Sequence, residues 1–212
     1  MKQNSLIEIE KKIKFDETIS KIDLSNISFS FDQKNPIFKN LKLNFVEGDK
    51  IGVVGSSGVG KSTLVNLITG LQNPDSGSVM YNNKNLIDLN ISKQIGLVTQ
   101  NSTLLDDTIE SNITFFEDKD KINQKFLKKI IENCELKETI YSLPKGINTK
   151  IGSNDGKFST GQLQRFSLAR TLYMKPSFLI LDEAFNALDI KTEKKIIENL
   201  RKMDFLNIIM II

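Results

Sequence analysis

The run Gly55-Ser56-Ser57-Gly58-Val59-Gly60-Lys61-Ser62-Thr63 matches the phosphate-binding loop pattern G-x-x-x-x-G-K-[ST] without a mismatch. The chemistry requires these residue types at this spacing. Glycines let the backbone curl tightly around a polyphosphate, so that several N–H groups point inward as donors. Lys61 brings a positive charge to the β- and γ-phosphates, and the Ser62 hydroxyl suits Mg²⁺. A helix starting here aims its positive end at the same anion.

Two further groups could take part. Asp182-Glu183 follows the apolar run Phe178-Leu179-Ile180-Leu181. An Asp at the end of a buried strand can hold Mg²⁺ through water, and a following Glu can orient and deprotonate an attacking water. The competing reading is an acidic pair that caps a helix. Upstream lies Phe158-Ser159-Thr160-Gly161-Gln162-Leu163-Gln164-Arg165. Ser159 reads as the N-cap of a helix from Gln162 to Tyr173. A serine hydroxyl, small-residue N–H groups and a helix N-terminus make a second phosphate-binding surface, or an ordinary capped helix. One chain needs two phosphate cradles for one nucleotide only if a dimer sandwiches it.

The elements that must hold these groups are readable from periodicity. Lys50-Ile51-Gly52-Val53-Val54 is a short apolar strand before the loop. Leu64 to Leu71 has apolar residues at helical spacing, with Gly70 as terminator. Ile22–Phe31 and Ile37–Phe45 alternate apolar and polar residues, predicting half-exposed strands joined by a turn over Asp32–Pro36. Glu47-Gly48-Asp49 turns into the loop strand, and Asn73–Gly77 turns into a strand over Ser78–Tyr81. Ile95–Thr99 predicts a strand ending at Gln100. Residues 103–175 switch to helical spacing, broken near Pro144 and Gly146. Phe178–Leu181 is a strand buried on both faces, and Ile190–Met203 is helical. The expected fold class is α/β: a P-loop NTPase core with an N-terminal antiparallel β subdomain and an inserted α-helical subdomain. Residues 1–20 read as a linker or arm, and residues 21–212 as the folded domain.

Composition narrows the class. With 212 residues the chain suits one large domain or a domain with a subdomain. The net charge of +3 is mild and spread out, which argues against a dedicated nucleic-acid surface. The lone cysteine, Cys134, cannot form an internal disulfide and reads as a half-buried thiol on an amphipathic helix. No apolar run reaches the length of a membrane span, and the polar start is not a signal peptide, so the expectation is a soluble, cytosolic domain. The chain closes on the apolar run Asn207-Ile208-Ile209-Met210-Ile211-Ile212, which reads as a buried strand cut short.

Together these residues resemble the nucleotide-binding domain of ATP-binding cassette (ABC) transporters over nearly the whole chain. Phe158-Ser159-Thr160-Gly161-Gln162 is similar to the family signature L-S-G-G-Q, Phe178–Glu183 to its Walker B strand and Ala187-Leu188-Asp189 to its D-loop. Gln100 falls where the Q-loop glutamine sits, and Phe31 where an aromatic residue stacks on adenine. Leu104-Leu105-Asp106-Asp107-Thr108-Ile109-Glu110-Ser111-Asn112-Ile113 resembles the exporter pattern L-F-x-x-T-I-x-x-N-I. Leu143-Pro144-Lys145-Gly146 and the segment Thr149–Gly156 occupy the stretch before the signature that exporters use in domain contacts.

The resemblance implies a mechanism. Two domains, identical or different, pair head to tail and bury two ATP. Each ATP lies between one chain's Gly55–Thr63 and the other's Ser159, Gly161 and Gln162. Phe31 offers a π-face to adenine, Lys61 and the loop amides hold the phosphates, and Ser62, Gln100 and Asp182 serve Mg²⁺. Glu183 is the expected general base. Asp189 is expected to close the dimer interface or to act as a plain helix N-cap. The segment Leu104–Ile113 would pass motion to a transmembrane domain at the cytoplasmic face of the membrane, with residues 1–20 as the arm from that domain. The alternatives are a soluble ABC ATPase acting on DNA or ribosomes, and a regulatory module without turnover, against which Glu183 argues.

Departures from the family pattern are specific. Thr160 replaces a glycine, Phe158 a leucine, and Phe185-Asn186 the frequent Thr-Ser after Walker B. Ser153 and Asn154 stand where exporters often carry a charged pair. The chain has no histidine. Family members carry a switch histidine just beyond the position of Ile212, so the expectation is a domain ending before its switch, with weak turnover.

Overall fold

The computed structural model describes residues 12–32, 35–100, 103–151, 158–203 and 207–211. The chain divides into two compact units, Met1–Ile95 with Asn207–Ile212, and Gly96–Leu206.

The first unit opens with β1 (Ile13–Lys14), β2 (Lys21–Ser30), β3 (Pro36–Val46) and β4 (Lys50–Val53). Helix α1 (Lys61–Thr69) follows, then β5 (Ser76–Tyr81), β6 (Lys84–Asn85) and β7 (Leu89–Asn90). Strands β3, β2, β5 and β6 form an antiparallel sheet in that order. The expected alternation in β2 holds with one slip. Ile22 and Leu24 are buried, the register shifts at Asn26 with φ of 51°, and Ile27 and Phe29 then take the buried side. A β-bulge of this kind inserts one residue and reverses the phase. Strand β5 starts at Ser76, within the segment expected to be a turn. Tyr81 is fully buried, and its hydroxyl donates to the Ile68 carbonyl near the end of α1. Such a buried hydroxyl needs that partner, and the helix end needs the donor.

The expected linker carries structure where it is described. Strand β1 pairs in parallel with β7, and Phe15 and Ile19 are buried at 4% and 0% exposure. Residues 1–11 lie outside the described residues.

The second unit opens in β8 (Ile95–Thr99), which belongs to it from Gly96 onward and runs up to Gln100. Next come β9 (Asp107–Thr108), α2 (Ile109–Ile113), α3 (Gln124–Asn133), α4 (Lys137–Tyr141) and β10 (Lys150–Ile151). The unit continues with α5 (Thr160–Tyr173), β11 (Phe178–Asp182) and α6 (Ile190–Arg201). The helical stretch expected over residues 103–175 therefore includes a small antiparallel β9–β10 pair, which local periodicity does not encode. Helix α5 packs against α2 and α3 and buries Gly161, Gln164, Phe166, Ser167, Leu168, Ala169 and Leu172. Burial around so much of its girth makes it the unit's central helix, each large apolar side chain contributing about 1.5–3 kcal/mol. Cys134 ends α3 and is fully buried rather than half-buried, which pushes its thiol far above the usual range.

The chain then returns to the first unit as β12 (Asn207–Ile211), parallel to β4 with Ile208 opposite Lys50 and Ile211 opposite Val53. Asn207 accepts from the Gly48 N–H, and the Ile208 N–H donates to Asp49 O at 3.0 Å. These bonds fix the turn that launches the phosphate loop's strand.

Candidate functional site

The phosphate loop joins β4 to α1, as its strand–loop–helix spacing requires. Gly60 is the N-cap at φ 106°, makes no side-chain cap bond, and the first turn of α1 contains no acidic residue. The opening N–H groups of the helix thus have no capping side chain, and no carboxylate neutralises its positive end. A Cβ on Gly60 would lie 2.5 Å from Ile37 Cγ2, so glycine is demanded by packing as well as by φ. Lys61 Nζ donates to Gly55 O at 2.6 Å and to Ser56 O at 3.2 Å, spanning the loop from its own helix. Gly55, Ser56, Ser57, Gly58, Val59 and Ser62 are exposed, whereas Thr63 is buried. An exposed glycine loop, an uncapped helix start and one ammonium are a fitting receptor for a polyphosphate.

Phe31 is 68% exposed and stands edge-on to Phe29, with ring centroids 5.1 Å apart. The bulge in β2 sets this placement. It puts Phe29 on the buried side, and Phe31, next in that phase, stands just past the strand's end.

In the second unit, complete burial of Phe178–Leu181 carries Asp182 and Glu183 to the end of β11. Asp182 is half-buried and Glu183 exposed. Helix α6 is capped by Asp189, whose Oδ1 accepts from the Thr192 N–H at 3.0 Å, so helix capping does not account for the acidic pair. Hydrogen bonds from the Thr192 side chain and backbone hold the Asp189 carboxyl below its usual range. The N-cap reading of Asp189 is thereby realised. Glu183 adopts φ 49°, uncommon for a residue with a Cβ, and accepts from Asn186 Nδ2 at 3.0 Å.

The start of α5, with its single Gly161, is built more tightly than the phosphate loop. Ser159 Oγ accepts from the Gln162 N–H at 3.2 Å, and Gln162 Oε1 accepts from the Ser159 N–H at 2.9 Å. This is a complete capping box, signalled in the sequence by S-x-x-Q. Gly161 is buried, and a Cβ there would meet Ala187 O at 2.7 Å and Leu188 Cδ2 at 2.9 Å. Thr160 is exposed, which explains why a side chain is accepted at one glycine position of the pattern and not at the next. Phe158 packs edge-on against Phe166 at 5.3 Å, and Phe185 is 8% exposed, so both substitutions feed the core. Gln100 is exposed at the end of β8, and its carbonyl accepts from Gln164 Nε2 at 3.3 Å.

Residue type alone does not mark Gln164 or Asn186. Gln164 carries a signal in its place two residues after Gln162, and Asn186 in its departure from the family pattern three residues after Glu183. Ser153 and Asn154 lie outside the described residues. Among the described residues no three His, Cys, Asp or Glu side chains gather to hold a metal. Ser62 in the first unit, and Gln100 and Asp182 in the second, each carry side-chain oxygen, the donor type Mg²⁺ prefers. Among the described residues no helix is long and apolar enough to cross a membrane.

Comparison with known proteins gives a consistent picture. The family model described as ABC transporter matches residues 38–186. The chain is 35% identical over 205 residues to ABC transporter B family member 29, chloroplastic, of Arabidopsis thaliana, covering 95% of this chain and 32% of that protein. It is 40% identical over 189 residues to the ATP-dependent lipid A-core flippase of Wigglesworthia glossinidia brevipalpis, covering 85% of this chain and 32% of the flippase. A bacterial Atm1-family ABC exporter with ATP bound superimposes with a TM-score of 0.82 at 27% identity, over 95% of this chain and 37% of that one. The chain thus spans about a third of the length of these relatives.

Proposed function

The chain belongs to the ABC transporter family, and from that premise we propose that it is the ATP-binding and ATP-hydrolysing domain of an exporter, acting as one of a pair. The observation that carries this reading is the phosphate loop, with its uncapped, acid-free helix start and Lys61 bridging it. Exporters and a flippase among the relatives support the transport role.

In this reading the amides of Gly55–Thr63 and Lys61 hold the β- and γ-phosphates, and Phe31 stacks on adenine. Ser62, Gln100 and Asp182 would hold Mg²⁺, which neutralises charge on the phosphate oxygens. Glu183 takes a proton from water as the water oxygen bonds to the γ-phosphorus. The bond from that phosphorus to the bridging oxygen breaks, and ADP leaves with the electron pair. Ser159, Gly161 and Gln162 of a second copy close over the γ-phosphate, so ATP draws two copies together and hydrolysis releases them. Leu104–Ile113 transmits this motion to a transmembrane partner at the cytoplasmic face, to which residues 1–20 would connect.

Lys61→Ala tests the reading. ATP affinity measured by calorimetry should fall by about 100-fold or more, given the loss of a charge-assisted phosphate contact. Wild-type affinity in this variant would overturn it.

A further inference from the structure

We propose that Asn186 is a positioning residue for Glu183, holding one carboxylate oxygen so that the other faces the attacking water. The inference rests on the reading of Glu183 as general base. It is carried by the 3.0 Å bond from Asn186 Nδ2 to Glu183 Oε2. An exposed glutamate on its own samples many rotamers, and a base works only in the orientation that reaches its proton. Here the amide spans a turn of three residues and fixes Oε2, leaving Oε1 with its lone pairs for the water.

The turn is stiff enough to give that bond a direction. Ala184 and Phe185, between the two side chains, are buried at 3% and 8% exposure. The Leu188 N–H donates to Phe185 O at 2.9 Å and closes the overlapping turn Phe185–Leu188, which contains Asn186. Beyond Asn186, the Ala187 carbonyl sits where a Cβ on Gly161 would come within 2.7 Å, so α5 packs directly on this backbone. Glu183 itself is held at φ 49°, a conformation that persists only where surrounding structure imposes it. The acid is therefore placed by its neighbours from both sides, through the backbone and through the Asn186 amide.

Steady-state ATP hydrolysis of Asn186→Ala, Asn186→Asp and Glu183→Gln, alone and combined, tests this. Asn186→Ala should lower kcat roughly three- to tenfold with KM for ATP within about twofold of wild type. Asn186→Asp, nearly the same shape but without the donor, should lose at least as much. In the Glu183→Gln background Asn186→Ala should change the residual rate by less than about twofold, because the group it positions is gone. Unchanged kcat in both Asn186 variants, or an equal loss in both backgrounds, overturns the positioning role while leaving Glu183 as base. Wild-type hydrolysis by Glu183→Gln overturns the base assignment, and the positioning role with it.

Discussion

The phosphate loop of the first unit and the start of α5 with its acidic turn in the second are both glycine-bearing and both read as phosphate-facing, yet they are built differently. The loop's residues are mostly exposed, and among the described residues Lys61 bonds only to the loop's own carbonyls. In the second unit nearly every candidate residue also holds the fold. Ser159 and Gln162 cap each other, Gly161 makes room for Ala187, Asp189 caps α6, and the Gln100 carbonyl is tied to α5. In the proposed reading most residue types in the loop answer to the ligand, while Gly60 is also required by its φ of 106° and by Ile37. Residue types in the second region answer to ligand and fold at once, so a lost activity there has two possible origins.

Substitutions can break or sharpen this contrast. The largest effect belongs to the loop: Lys61→Ala should lower ATP affinity by about 100-fold or more while the apparent Tm stays within about 2 °C of wild type, since a half-buried side chain bonded to its own loop contributes little to stability. A large drop in Tm would show that the loop, too, is part of the scaffold. Gly161→Ala comes next. Its Cβ faces a backbone carbonyl, so denaturant unfolding should show a loss of about 1–3 kcal/mol together with reduced hydrolysis. Wild-type stability would mean that the glycine serves the ligand only. Ser159→Ala is the mildest, removing one side of the capping box. A loss of about 1 kcal/mol, or roughly 2–4 °C in Tm for a chain of this size, is expected by calorimetry. A variant that loses turnover at unchanged Tm would assign Ser159 to the ligand rather than to the helix.

What was legible in the sequence divides along the same line. The loop could be read residue by residue, because its strand, glycines, lysine and Gly70-terminated helix are all local signals. The buried run of β11 and the acidic pair after it were legible for the same reason. Long-range pairing was not. Phe15 and Ile19 sit in a charged stretch and are buried, and β1, flanked by Lys11-Lys12 and by Asp16-Glu17, gains its order by pairing with β7. The slip at Asn26 places Phe31; the sequence marks it only by the consecutive polar pair Ser25-Asn26, and the pairing of β2 with β3 and β5 identifies it as a bulge. Cys134 looks like one face of an amphipathic helix, and its complete burial is decided by packing in the helical unit. Asn186 and Gln164 act through bonds across a turn and between elements, which residue type does not announce.

The central claim is that this chain carries half of each ATP site and that a second copy completes it. Light scattering of Glu183→Gln with and without Mg²⁺ and ATP tests it most directly. With the general base removed, bound ATP should persist and the measured mass should double on adding Mg²⁺ and ATP, and return to that of one chain when ATP is withdrawn. A mass of one chain at ATP concentrations that saturate binding would contradict the claim.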